Sequence, residues 1–233
     1  FDVVFAEWVV YEQVCMAALD VARLDIIQEC IHELDHQFPS SLRVRKLKAM
    51  HYEVLERYDD ALKIYDSLLE TDDSNCALYK RKIAVLRSQN KMGEAIKQLN
   101  EYLKKFVCDQ EGWAELCQLY QAEQDWSKAG FCMEELIMSN PHNHLYLQQY
   151  AEILYTGENL ELAKTYFSQA LKLCPSNSRA LRSYWLLSQT CSHLAASPKT
   201  LPAKRKEHQK VAQWCANRLS SKYQISATIT EGR

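Results

Sequence analysis

The chain is poor in glycine and proline, with five of each in 233 residues. Sheets and long loops use many of both at their turns, so the scarcity points to helices joined by short connections. Long apolar runs are also missing. No stretch approaches the roughly 18–20 apolar residues of a membrane span, so a place at a membrane is expected to come through a partner. There is no excess of either charge: 28 Lys and Arg stand against 30 Asp and Glu. A net charge of −2 provides no global field for nucleic acid or an anionic membrane. Nine cysteines are scattered without a C-x-x-C pair, which argues against a zinc ribbon and a redox motif. No N-x-S/T sequon with x other than Pro occurs, and both facts suit a reducing compartment. The first residue is Phe1, not Met, which leaves room for a leader or a few native residues before it.

What is present supports a buried core: 47% hydrophobic and 25% charged residues are ordinary globular values. The strongest signal is an internal repeat. Ala61, Ala95, Ala129 and Ala163 recur every 34 residues, and the same register runs back to Ile27. A 34-residue period is that of the tetratricopeptide repeat, two antiparallel helices A and B per unit. The expected fold is therefore all-α, a right-handed superhelical solenoid. It has about five repeats, at 8–41, 42–75, 76–109, 110–143 and 144–177. A sixth helix A at 178–195 completes an array over 1–195.

The other signature positions keep this register. Trp113, Leu116, Cys117 and Tyr120 line helix A of the fourth repeat, because residues three and four apart share a helix face. A small residue one step past position seven lets helices A and B approach closely. Ala49, Cys117 and Ala151 occupy it, and Cys15 and Cys117 are read as packing residues. Pro39, Pro141 and Pro175 cannot continue a helix and end helix B. The final part is irregular. A linker at 196–202 with Pro198 and Pro202 breaks the period. A basic amphipathic helix at 203–223, carrying Val211, Trp214, Cys215 and Leu219, is expected to cap the open end. Its Lys204, Arg205, Lys206 and Lys210 are read as a solvated face, and 224–233 as a polar, flexible tail.

Catalytic motifs are few. His32, Glu33 and His36 match H-E-x-x-H, in which two histidines one turn apart bind zinc and the Glu acts as base. The match is read as fortuitous. Leu34 is the core position there, so both histidines point to solvent, and the helix stops at Phe38-Pro39. His142 and His144 sit at a turn, where Asn140, His142 and Asn143 are read as bonding free backbone groups at helix ends, not as metal ligands. No G-x-S-x-G, Walker loop or dinucleotide fingerprint occurs, so neither catalysis nor a cofactor or metal is expected. Binding is expected instead on the concave, helix A side. Arg43, Lys46, Lys80, Arg87, Gln118, Gln121, Gln148 and Tyr155 are the candidate groove residues. Aromatics do not interleave with this basic group as a single-stranded nucleic-acid platform would need.

Several segments go beyond the generic repeat. ERYDDA (56–61), KRKIA (80–84), LNEYL (99–103), DQEGWAEL (109–116), NPHNHLY (140–146), QQYAE (148–152) and FSQALKL (167–173) follow in order. Together they resemble the family of the second subunit of the endoplasmic reticulum membrane protein complex, over about 11–223. The resemblance implies a non-catalytic, soluble scaffold on the cytosolic face of that membrane, part of an insertase for tail-anchored and some multi-spanning proteins. It further implies that the chain holds the cytosolic parts of membrane-spanning subunits and a second soluble cytosolic subunit, with indirect membrane association. The stretch before ENLEL (158–162) looks shorter than is usual in the family, and HELDH is not a family motif.

A co-chaperone clamp for the acidic C-terminus of a heat-shock chaperone is the alternative. Lys46 and Lys80 fit its lysine role, but Met50 and Ala84 stand where an Asn belongs one turn later. The register itself is testable. Ala129→Trp should overpack the helix A/B contact and cost at least about 1–3 kcal/mol; an unchanged melting temperature would contradict the register.

Overall fold

The computed structural model describes residues 2–176, 178–198 and 200–231, with side chains over 7–176, 178–198 and 200–223. The described residues form helices and short connections only. They fall into two compact units, residues 1–106 and 107–233. The first holds α1 (Asp2–Asp20), α2 (Leu24–Gln37), α3 (Leu42–Val54), α4 (Tyr58–Thr71), α5 (Cys76–Ser88) and α6 (Met92–Lys105). The second holds α7 (Gln110–Ala122), α8 (Trp126–Ser139), α9 (His144–Thr156), α10 (Leu160–Leu173), α11 (Ser178–Ala196) and α12 (Pro202–Glu231). Within each unit every helix packs on the next in chain order. From α3 onward, the odd-numbered helices start at Leu42, Cys76, Gln110, His144 and Ser178, one every 34 residues.

The small residues explain the pairing. Ile27, Ala61, Ala95, Ala129 and Ala163 are all fully buried. Their partners Cys15, Ala49 and Ala151 are fully buried as well, and Cys117 nearly so. In the fourth repeat the contact is direct: the Cys117 thiol lies 3.5 Å from the Ala129 carbonyl oxygen. One turn further along helix B, Tyr65, Leu99, Met133 and Phe167 fill the layer between helix pairs. Polar ends of the large residues are satisfied: the Tyr65 hydroxyl donates to Glu53, which Arg81 meets at 3.2 Å. In the second unit the Tyr150 hydroxyl donates to Glu134.

The A-to-B turns are built alike. Ala22, Glu56, Asn90, Gln124 and Glu158 all have positive φ, between 55° and 63°, again one every 34 residues. Each lies just beyond a helix A, and the backbone closes over it. Arg57 N–H donates to the Tyr52 carbonyl at 2.9 Å and Glu56 N–H to that of Glu53 at 3.0 Å. The same pair of bonds recurs at the other four turns. This is the left-handed helix stop usually given to glycine. Here none of the five residues is glycine. Three helix starts in the second unit are capped: Asp109, Asp125 and Asn143 accept from Glu111, Lys128 and Leu145 N–H at 3.0–3.2 Å. Asn140 is the residue that ends α8, and its own N–H donates to Leu136.

Near the C-terminus two boundaries differ from the sequence expectation. The connection between α11 and α12 covers only 197–201, and α12 continues to Glu231 instead of ending at Tyr223. Residues 224–231, read as a flexible tail, are helical in backbone; their side chains, and residues 232–233, lie outside the described residues. α12 is held by residues ahead of Tyr223. It packs along α11 as the second member of a helix pair, with Cys215 fully buried and Val211, Ala212 and Leu219 against the same core. His208 of α12, 2% exposed, faces α10, with Lys164 Nζ 3.2 Å from its Nδ1. α1 likewise begins at Asp2, ahead of the expected repeat start at residue 8.

A left-handed backbone costs a non-glycine residue about 1–2 kcal/mol. Gln124→Gly should therefore stabilise the chain by about 0.5–1 kcal/mol, after subtracting the added freedom of the unfolded state. Urea denaturation reads this as a higher midpoint at unchanged slope.

Candidate partner-binding clefts

In the second unit, α7, α9 and α11 together line a cleft of about 560 Å³. Met133 and Leu136 of α8 contribute apolar wall. Gln118, Gln121, Gln149, Tyr146 and Tyr155 present amides and phenols to it. Its one ion pair, Arg182 with Glu152 at 2.8 Å, leaves these two charges balanced. Gln121 Nε2 also lies 3.3 Å from the Cys117 sulfur, and the Tyr155 ring is 5.9 Å from that of His193. The cleft can hydrogen-bond a peptide backbone without demanding charge of either sign.

Three of the four groove residues expected in this unit, Gln118, Gln121 and Tyr155, line that cleft. Gln148 does not. It is 8% exposed and donates to Glu152 at 3.0 Å, while its neighbour Gln149 lines the cleft. One residue along a helix turns the side chain by about 100°, so a register that is off by one selects the buried amide.

In the first unit, Arg43 and Lys46 line a smaller cleft of about 180 Å³ with Glu12, Met16, Met50 and Asp72. Lys80 and Arg87 are not part of it. The local run of bases is largely neutralised. Arg43 forks onto Glu12, Lys48 meets Asp35 at 2.6 Å, Arg81 meets Glu53, and Lys82 meets Asp66 at 2.7 Å. Arg45 instead donates to Ser67 at 2.7 Å. Carboxylates contributed by neighbouring helices, invisible to a local count of bases, make the difference.

The signature residues serve structure. Trp113 Nε1 donates to the Val107 carbonyl at 2.8 Å and its ring meets Phe131 edge-on at 6.0 Å. Tyr120 lies under Lys128, 5.4 Å away. Pro141 and Pro175 are exposed just beyond the ends of α8 and α10. His32 and His36 are exposed on α2; the His32 side chain is 80% accessible and only 3.6 Å from Glu33, its one near charge partner. Among the described residues no group of three or more His, Cys, Asp or Glu is placed to hold a metal.

Helix pairs stacked at a 34-residue period, close-packed on a small buried residue, define a tetratricopeptide-repeat protein, a class built to present extended binding surfaces. Solved structures agree at the level of fold. A MamA crystal structure matches with a TM-score of 0.56 at 12% identity, covering 78% of this chain and 94% of that one. PilF of Pseudomonas aeruginosa matches at 0.55 and 17%, covering 93% and 91%. The family described as the EMC2 TPR-like repeat domain matches residues 23–173. ER membrane protein complex subunit 2-A of Xenopus laevis is 50% identical over 228 residues, 96% of this chain and 76% of that protein. TPR repeat protein oca3 of Schizosaccharomyces pombe is 28% identical over 83% of this chain and 69% of its own length. The chain belongs to the ER membrane protein complex subunit 2 family, and is a non-catalytic tetratricopeptide scaffold.

The thiols suit that role. Burial pushes Cys15, Cys117 and Cys191 up to about 11, and Cys132 and Cys215 up to about 12, from an ordinary 9.0. At pH 8 these five should resist an aromatic disulfide reagent, while the exposed Cys76 and Cys108 react at once. The raised values also fix the alkaline limb. Unfolded thiols ionise first, so stability present below pH 9 should be lost progressively up to about 12. Counting labelled cysteines by intact mass, native and in urea, checks the first point; melts from pH 7 to 11 check the second.

Proposed function

We propose that the chain is a peripheral scaffold on the cytosolic face of the endoplasmic reticulum membrane, serving the ER membrane protein complex. It supports insertion of tail-anchored and multi-spanning proteins by organising the cytosolic parts of the membrane-spanning subunits and a second soluble cytosolic subunit. The observation that carries this reading is the 560 Å³ cleft of amides and phenols in a chain half identical to a subunit of that complex. Such a lining satisfies the backbone N–H and C=O groups of an extended segment, which otherwise lose their water partners on binding. On another face of the second unit, a cleft of about 510 Å³ is lined by Trp126, Phe131, Tyr150 and Leu162. Phe131 is 54% exposed there, beside Ser127, Glu134 and Asn159, a second mixed surface open to a partner. No described helix is long and apolar enough to cross a membrane; in this proposal, membrane association runs through the spanning subunits.

The chaperone-clamp alternative draws little support from the same residues. Lys46 shares its cleft with Glu12 and Asp72, and Arg43 already holds Glu12. An incoming carboxylate would meet like charge there.

The experiment is affinity purification of the tagged chain from mild-detergent extracts, with mass spectrometry of its companions. The unmodified chain should bring stoichiometric membrane-spanning subunits. Gln118→Ala with Gln121→Ala should reduce their recovery by roughly tenfold, as loss of central contacts does, at an unchanged melting temperature. Full recovery with the double variant would remove the cleft from the interface, and recovery of heat-shock chaperones instead would favour the clamp.

A further inference from the structure

The small net charge hides a division along the chain. Residues 1–161 carry 28 acids against 16 bases, whereas residues 162–223 carry eleven Lys and Arg and a single acid, Glu207. The basic stretch forms nearly all of α10, all of α11 and most of α12, around a core of Phe167, Leu171, Tyr184, Leu187, Cys191 and Cys215. A cleft of about 640 Å³ opens on its surface. Leu171, Tyr184, Leu187, Val211 and Trp214 make its walls apolar. Lys172, Arg218 and Lys222 make its rim cationic.

Two of the rim cations are held in place by rings. Arg218 stands 5.7 Å from the Trp214 centroid and Lys222 5.5 Å from that of Tyr184, and the two rings are 5.8 Å apart. Lys222 also donates to the Pro175 carbonyl at 2.7 Å. Among the described residues no carboxylate forms an ion pair with any of the three. The contrast with the first unit, whose cations rest on acids from adjacent helices, is direct. Trp214 is nevertheless 48% exposed. An apolar, ring-lined hollow with an unneutralised cationic rim is complementary to one kind of ligand.

We propose that this cleft binds an acidic amphipathic segment of a partner protein, with an apolar side chain in the hollow and carboxylates against Lys172, Arg218 and Lys222. Concavity selects a peptide over a bilayer. A membrane surface takes up projecting aromatic and basic side chains, but only an inserted side chain reaches Leu171, Leu187 and Val211. Charge selects the sign, since each carboxylate meets a cation that has no other anionic partner. The inference does not depend on the insertase reading and concerns a different cleft.

The test uses the full chain and a fluorescein-labelled peptide of about 18 residues, five helical turns, with Leu along one face and Glu along the other. Fluorescence anisotropy should show binding that weakens as salt rises. Lys172→Glu with Arg218→Glu should weaken it by roughly tenfold or more; both residues are exposed, and an unchanged melt verifies the fold. The milder Lys172→Gln with Arg218→Gln should give an intermediate loss. A peptide with Gln in place of Glu should bind the unmodified chain as weakly as the reversed variant binds the acidic one. Equal binding to both proteins, or no binding at all, would overturn the proposal. So would flotation with phosphatidylcholine–phosphatidylserine vesicles that the charge reversal abolishes while peptide binding persists. Self-association lost in the same variant, without peptide binding, would assign the cleft to the acidic part of a second copy.

Discussion

The close approach of two helices at one small buried residue is the constraint on which the rest of the fold depends. At Ala61, Ala95, Ala129 and Ala163 helix B contributes no more than a methyl group to the contact with helix A, and each is fully buried. That distance sets where the next layer sits, so Tyr65, Leu99, Met133 and Phe167 fall at equivalent depth, all fully buried. It also fixes the turn. A helix that must reverse within three residues and pack at once on itself needs a left-handed residue there, whatever its type. Five turns meet that need with Ala, Glu, Asn, Gln and Glu. The strain each stores is small against the packing it permits.

Within this frame, charge is the variable the chain has distributed unevenly. In the first unit, acids and bases interlock across successive helices: Glu12 with Arg43, Glu53 with Arg81, Asp73 with Lys105. Exposed pairs of this sort add little stability. Their larger consequence is that the surface offers few uncompensated charges to an anionic ligand. In the second unit the polar cleft between α7, α9 and α11 is amide-rich and close to neutral. The region after residue 161 is different, because there bases have almost no acids to meet. A net charge near zero is therefore compatible with two surfaces of opposite character.

Much of the architecture was legible in the sequence. A period of 34 needs only small residues, aromatics and prolines in register, and those are dictated by contacts inside one repeat and its neighbour. The chain's end was less legible. The segment 197–201 breaks the period and the helix that follows keeps no repeat signature, so its extension to Glu231 was not readable. His208 gave no signal either, because a histidine among Lys204, Arg205 and Lys206 looks solvated until α10 is folded against it.

For the candidate sites the division is sharper. Sequence alone determined the class of fold, the helix positions that face inward and, through segments such as DQEGWAEL and NPHNHLYLQQYAE, the family. These follow from local periodicity and residue identity, which survive without coordinates. Tertiary structure decided which of two adjacent glutamines, 148 or 149, reaches a cleft, and which bases are already paired. It also decided that Lys172, Arg218 and Lys222, from α10 and α12, share one rim. Those outcomes depend on which helices lie side by side and on a rotation of about 100° per residue, and neither is written in the spacing of a single segment.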